Sequence, residues 1–143
     1  KLNVTALDLS DVYLDHARKE LKAWRDVRFL EGNAERMPLP DASQDIVTCI
    51  YLFHELPPEV RPVVAAEIAR VLKPGGLFIL VDSIQPGDTP GFEALTEFFP
   101  QAFHEPYYPS YLDWNIETAF TTAGLEPLSS TPAFLSKVVA FRK

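Results

Sequence analysis

Apolar residues fall in short runs divided by polar exits and turn residues, and two periodicities alternate along the chain. Residues 2–9, LNVTALDL, read as a buried strand with a polar exit at Asp8. Ser10 is a good N-cap, and Leu14, Ala17, Leu21 and Trp24 recur at helical spacing. The pattern predicts a helix over about 11–23 with those four residues facing the core. Val27–Leu30 predicts a second strand leading to Gly32, and Ile46–Tyr51 a third. Pro57 and Pro58 open a second helix with the stripe Val60, Val64, Ile68, Val71 and Leu72, stopped by Lys73-Pro74-Gly75-Gly76. Leu77–Val81 is a continuous apolar strand, the mark of a sheet covered on both faces. Residues 84–111 are rich in proline and aromatic side chains without clear periodicity and read as loop. Residues 112–123 predict a helix with Leu112, Ile116, Ala119 and Phe120 inward and Gly124 as its stop. Leu125–Ser130 and Leu135–Phe141 predict a hairpin turning near Pro132. Strand and helix alternate until that closing hairpin, so the fold class is α/β, with a mostly parallel sheet that gains an antiparallel end.

Composition narrows this little, but charge placement narrows it more. The chain has 143 residues, a length for one domain over 1–143, with 47% hydrophobic and 23% charged residues. No apolar run approaches the roughly 20 residues needed to span a bilayer, so no membrane span is expected. Cys49 is the only cysteine, which precludes an intrachain disulfide and accords with a cytoplasmic location. The three histidines, His16, His54 and His104, show no metal-ligand spacing, so no metal is expected. Net charge is −7, and between Pro74 and Ser136 there is no lysine or arginine, against Asp82, Asp88, Glu93, Glu97, Glu105, Asp113, Glu117 and Glu126. A nucleic-acid surface needs cations against phosphates, so no nucleic-acid partner is expected.

The most informative stretch is Gly32–Leu56, GNAERMPLPDASQDIVTCIYLFHEL. Gly32, Ala34, Pro38, Leu39, Pro40, Asp41, Asp45 and Val47 resemble the spaced pattern of the class I S-adenosylmethionine-dependent methyltransferases. The resemblance extends over essentially the whole chain, through LKPGG and the closing antiparallel pair. YLFHELPPEV resembles the small-molecule branch close to ubiquinone- and menaquinone-biosynthesis enzymes. The resemblance implies a Rossmann-like methyltransferase sheet of strand order 3-2-1-4-5-7-6. It also implies methyl transfer from S-adenosylmethionine to a small, apolar or aromatic molecule.

On this resemblance Asp8 matches the acidic residue that accepts from the cofactor's ribose hydroxyls. Asn33 and Ala34 match the adenine-binding corner, with Asn33 standing where the family usually has Asp. Met37 is expected against the adenine face and Tyr51 at the methionine end. His54 is the first candidate for an acid/base facing the substrate, and the aromatic segment 84–111 for a lid over it.

One family element has no counterpart. None of the six glycines forms the E/D-x-G-x-G turn that holds the methionine part of the cofactor, and the chain opens in what matches the second strand. The expectation is an N-terminally truncated sheet, inactive as this piece alone, with the slot between the strands of Asp8 and Cys49 either closed by direct pairing of 4–8 with 46–50 or open to self-association. Two rivals remain: a nucleotide-dependent dehydrogenase, disfavoured because no tyrosine has lysine four residues on, and a non-catalytic scaffold of methyltransferase fold.

Overall fold

A computed structural model describes residues 2–143, with the side chains of Glu93, Leu95 and Glu97 outside the description. The chain forms two compact units, Lys1–Pro38 and Leu39–Lys143.

In the first unit, strand β1 (Val4–Asp8), helix α1 (Asp11–Glu20) and strand β2 (Val27–Glu31) form a right-sized crossover between parallel strands. Ser10 caps α1 as expected, its Oγ accepting from the Tyr13 amide, and Leu14 is buried. The helix ends a turn earlier than its apolar spacing predicts. The Leu21 amide bonds to Ala17 O and the Trp24 amide to Leu21 O, which carries Trp24 out of the stripe and leaves it 65% exposed. The expectation that Trp24 faces the core is therefore corrected.

The second unit holds strand β3 (Gln44–Ile50), a 3-10 turn at Phe53–Glu55, helix α2 (Arg61–Val71), strand β4 (Leu72–Ser83), helices α3 (Glu93–Phe103), α4 (Tyr108–Leu112) and α5 (Ile116–Thr122), and strands β5 (Glu126–Ala133) and β6 (Ser136–Arg142). The four strands lie in the order β3-β4-β6-β5. β3 and β4 are parallel, and β6 runs antiparallel to both β4 and β5. Val64, Ala65, Ile68 and Ala69 of α2 are buried, and Phe120 of α5 packs between Phe78 and Phe141 at ring distances of 4.7 and 4.9 Å. Phe120→Ala should cost about 3–5 kcal/mol of stability, read from urea unfolding.

Four boundaries depart from the sequence pattern. Pro57 and Pro58 form a turn, closed by the Val60 amide on Pro57 O, before α2 starts at Arg61. Residues 84–111 contain α3 and α4 rather than loop alone, with Pro100 inside α3. The helix predicted over 112–123 is split, because α4 ends at Leu112 and the Asn115 side chain caps a new start at Ile116. The hairpin turns at Phe134-Leu135, beyond Pro132.

The motif residues Asp41 and Asp45 hold the frame. Asp41 pairs with Arg70 at 2.5 Å, the same guanidinium also donating to Leu39 O, and Asp45 pairs with Lys73 at 2.7 Å. Gly76 sits where a Cβ would meet Lys73 O at 2.9 Å and Asp45 O at 3.1 Å. Those are backbone atoms that cannot swing aside, so Gly76→Ala should cost about 1–3 kcal/mol, visible as a lower melting temperature.

Each sheet has the internal order that the resemblance implies. β1 pairs with β2 and β3 with β4, and among the described residues 4–8 forms no ladder with 46–50. Along β3, Ile46 and Ile50 are 54% and 62% exposed. β5, exposed throughout, is blunted by Pro127 and Pro132.

Candidate functional site

The parallel register places Ile50 opposite Val81, so Tyr51 leaves β3 beside Asp82 of β4 at the same carboxyl edge. In open α/β sheets that edge is where ligands bind. Tyr51 stays tied to the sheet through its amide on Val81 O, but takes a left-handed backbone, φ 53°. This reverses the chain into the 3-10 turn and points His54 back over the strand ends. The Tyr51 hydroxyl meets Ser136 Oγ at 2.5 Å, and its ring stands edge-on to His54 at 6.2 Å.

Asp82 is fully buried and organises the turn. Its Oδ1 lies 2.6 Å from His54 Nδ1 and accepts from the Ser83 amide at 2.8 Å, while Oδ2 accepts from the Phe53 amide at 2.9 Å. Both Asp82 oxygens accept from backbone amides, so the imidazole nitrogen facing Oδ1 serves as the donor, which puts the proton on Nδ1 and the lone pair on Nε2. His54 is 6% exposed. Burial by itself lowers its pKa, but the hydrogen bond and charge of Asp82, with Glu55 and Glu105, outweigh it and set the pKa above the ordinary 6.5. Tyr108 and Tyr111 stand edge-on to the imidazole at 5.9 and 6.1 Å, their hydroxyls bound to Ser83 Oγ and Ser83 O. Burial pushes the pKa of both hydroxyls up, so they stay neutral. It also pushes the Cys49 thiol up to about 12, which removes it as a nucleophile.

Sequence reasoning missed two residues here. Asp82 had a signal, the polar exit of the apolar run Leu77–Val81, equivalent to Asp8 after the first strand. Arg61 had none. It is 1% exposed, and its guanidinium donates to Phe53 O, Tyr107 O and Ser110 O at 2.9–3.0 Å while lying 5.9 and 5.5 Å over Tyr111 and Trp114. It fastens the turn carrying His54 to α4.

In the first unit, register places Asp8 opposite Glu31, and the Gly32 amide bonds to Asp8 O at 3.0 Å, so Asp8 and Asn33-Ala34 share one strand edge. Asp8 Oδ1 accepts from the Ser10 amide at 2.8 Å, leaving Oδ2 to accept from a hydroxyl. Asn33 Oδ1 is engaged by the Glu35 amide at 2.8 Å, and its amino group donates to Glu35 Oε1. The amide oxygen assigned to adenine thus already closes an Asx turn and has only its second lone pair to offer. The Ala34 amide makes no hydrogen bond among the described residues and fits a ring acceptor, and Met37 is half-buried. These residues fit a nucleoside, with Asp8 and Ala34 the better donors and acceptors of the set.

Comparison with known proteins bears on the same residues. The model of the methyltransferase domain family matches residues 1–80. The uncharacterized methyltransferase YcgJ of Bacillus subtilis is 49% identical over 67 residues, covering 47% of this chain and 26% of that protein. The demethylmenaquinone methyltransferase of Listeria welshimeri is 33% identical over 119 residues, covering 79% of this chain and 49% of its own length. The chain therefore spans half or less of the curated relatives it matches here. The solved structure of a SAM-dependent methyltransferase from Aquifex aeolicus superposes with a TM-score of 0.72 at 19% identity, covering 98% of this chain and 68% of that one. With the family model matching more than half of its length, and strand blocks in the expected order, the chain belongs to the methyltransferase domain family and has its Rossmann-like fold.

Proposed function

We propose that the intact protein transfers a methyl group from S-adenosylmethionine to a small, apolar or aromatic acceptor, with His54 as general base. The observation that carries this is the His54–Asp82 pair at the joint carboxyl edge of β3 and β4, walled by tyrosine rings. Kinship with demethylmenaquinone methyltransferases favours a quinol or phenol as acceptor. Within the first unit, Asp8 accepts from the ribose, the Ala34 amide donates to the adenine, Asn33 lends its remaining lone pair and Met37 packs on the adenine face; in the second, Tyr51 is the candidate for the methionine end. When bound, the cofactor supplies an electrophilic methyl group on a sulfonium.

The chain's own residues then have three tasks. The aromatic segment 84–111 covers the acceptor and excludes water, with Phe98 and Phe103, 61% and 63% exposed, as its outer face. The tyrosines orient the acceptor ring. His54 Nε2 takes a proton from the acceptor as the methyl group passes to it and the sulfonium's sulfur–methyl bond breaks, and Asp82 holds the resulting imidazolium.

In the intact protein, Asp8→Ala should weaken S-adenosylmethionine binding about 10- to 100-fold, the loss of one charge-assisted hydrogen bond. Titration calorimetry showing unchanged affinity removes Asp8 from the site. The 143-residue chain by itself, having no Gly-x-Gly turn, is expected to bind the cofactor poorly and to turn over none of a quinol and phenol panel with labelled cofactor. If the intact protein also fails on every acceptor while binding no cofactor, the scaffold reading replaces this one. Self-association through the open side of β3 belongs to the same proposal, and sedimentation of Ile50→Lys against the parent chain tests it.

A further inference from the structure

We propose that His54, Glu55 and Glu105 form a binding site for a divalent transition-metal ion of the zinc class. Each offers one ligand atom, and the three atoms lie within 4.8 Å of one another. The three histidines share no ligand spacing along the sequence, but the fold recruits carboxylates instead. Glu55 adjoins His54 in the 3-10 turn. Glu105 follows His104, whose left-handed backbone, φ 56°, ends α3 and turns the chain back toward the imidazole.

The imidazole is prepared for such an ion. Its Nδ1 faces the Asp82 carboxylate at 2.6 Å, the arrangement that fixes the tautomer and orients metal-binding histidines. Its Nε2 belongs to a side chain 8% exposed and sits 4.0 Å from Glu55 Oε1, beyond hydrogen-bond reach. With Nδ1 engaged by Asp82, Nε2 is the imidazole nitrogen left to face the two carboxylates. Zinc holds N and O ligands at about 2.0–2.2 Å, which in a tetrahedron puts them roughly 3.3 Å apart. Glu55, 4.0 Å from Nε2 with its side chain 58% exposed, and the half-buried Glu105 must close to that spacing by side-chain adjustment. Imidazole with two carboxylates suits zinc, cobalt or manganese rather than magnesium or calcium, and three protein ligands leave a fourth position open. Charge agrees, since Asp82, Glu55 and Glu105 surround the ring and residues 75–135 contain no lysine or arginine.

Resting on the proposed role of Nε2, one consequence is regulatory. A metal ion there takes the lone pair that accepts the acceptor's proton, so occupancy switches methyl transfer off.

The test uses the chain stripped with a chelator and titrated with zinc chloride by calorimetry, and with cobalt chloride by visible absorption. One saturable site is expected, with the cobalt spectrum of a nitrogen-oxygen site of low coordination number. His54→Gln should abolish it, and Glu105→Gln should weaken it at least about tenfold. Asp82→Asn should weaken it about 10- to 100-fold. Asp15→Asn, an exposed acid elsewhere, should leave it unchanged. Circular dichroism of each variant shows which have folded, and Glu105→Gln, altering a partly exposed side chain, keeps the test open if the buried changes unfold the chain. Only weak, multiple binding, or a site indifferent to Glu105→Gln, overturns the proposal. Turnover of the intact, chelator-treated enzyme is measured separately. A metal site without an effect of His54→Gln on metal-free turnover sinks the base assignment alone, and the converse sinks the metal site alone.

Discussion

His54→Gln in the intact, metal-free protein is expected to lower kcat/KM by about 10²- to 10⁴-fold, the range over which a positioned general base contributes. S-Adenosylmethionine affinity should stay within about twofold, because the cofactor contacts assigned to Asp8 and Ala34 involve other residues. Glutamine keeps a donor for Asp82 while removing the basic nitrogen, so the variant tests chemistry more than packing. The pH profile separates the two further. The folded-state pKa of His54 is raised, so its base form appears only as pH climbs through a value above 6.5, and the acid limb of kcat/KM should lie there. His54→Gln should flatten that limb. Stability runs in the opposite sense. A raised folded pKa contributes stability that is complete below the unfolded value and is lost as pH rises through the folded one. The parent protein should therefore lose part of its margin over the glutamine variant between those two values. An unchanged acid limb in His54→Gln would mean that another group takes the proton.

How much of this was legible follows from what sequence patterns report. The strands announced themselves because Leu77–Val81 and Ile46–Ile50 are short apolar runs between turn residues, although Ile46 and Ile50 stay exposed, and strand ends marked by Asp8 and Tyr51 follow from the same patterning. His54 was visible as a polar residue past a strand exit. Its partner was not, because which exits share an edge depends on the register of Ile50 with Val81, a long-range pairing that no local pattern encodes. The helices of 84–111 were hidden for a different reason. Pro100 and the aromatic density suppress helical spacing, while burial of Tyr108 and Tyr111 against His54 supplies the order that propensity does not. Trp24 misled because its spacing continued past a helix that local hydrogen bonds had already ended.

Arg61 is where sequence reasoning had least to offer, and its substitution is expected to affect both stability and turnover. An arginine at a helix start reads as solvated charge, since arginines are almost never fully buried. Here it is buried, among the described residues without a carboxylate hydrogen-bond partner, and burial pushes its pKa down, with Tyr111, Asp82 and Glu59 opposing. Its fork is satisfied by the carbonyls of Phe53, Tyr107 and Ser110 and by the Ser110 hydroxyl. Arg61→Met keeps the stem and removes every donor, so these carbonyls are stranded at about 1–3 kcal/mol for each that water cannot reach. A loss on the order of 3 kcal/mol is expected, a large part of the roughly 5–15 kcal/mol that holds a domain. Arg61→Lys should recover little, because one ammonium cannot reach carbonyls that a planar fork spans. Urea unfolding of the two variants and the parent reads both effects. The consequence reaches the site, since Phe53 precedes His54 and Tyr107 precedes Tyr108, which stands edge-on to the imidazole. Releasing that clamp frees the imidazole from the ring that orients it, so Arg61→Lys should lower kcat more than it raises KM. A lysine variant as stable and as active as the parent would show that the buried charge, and not the geometry of the fork, joins the turn to α4.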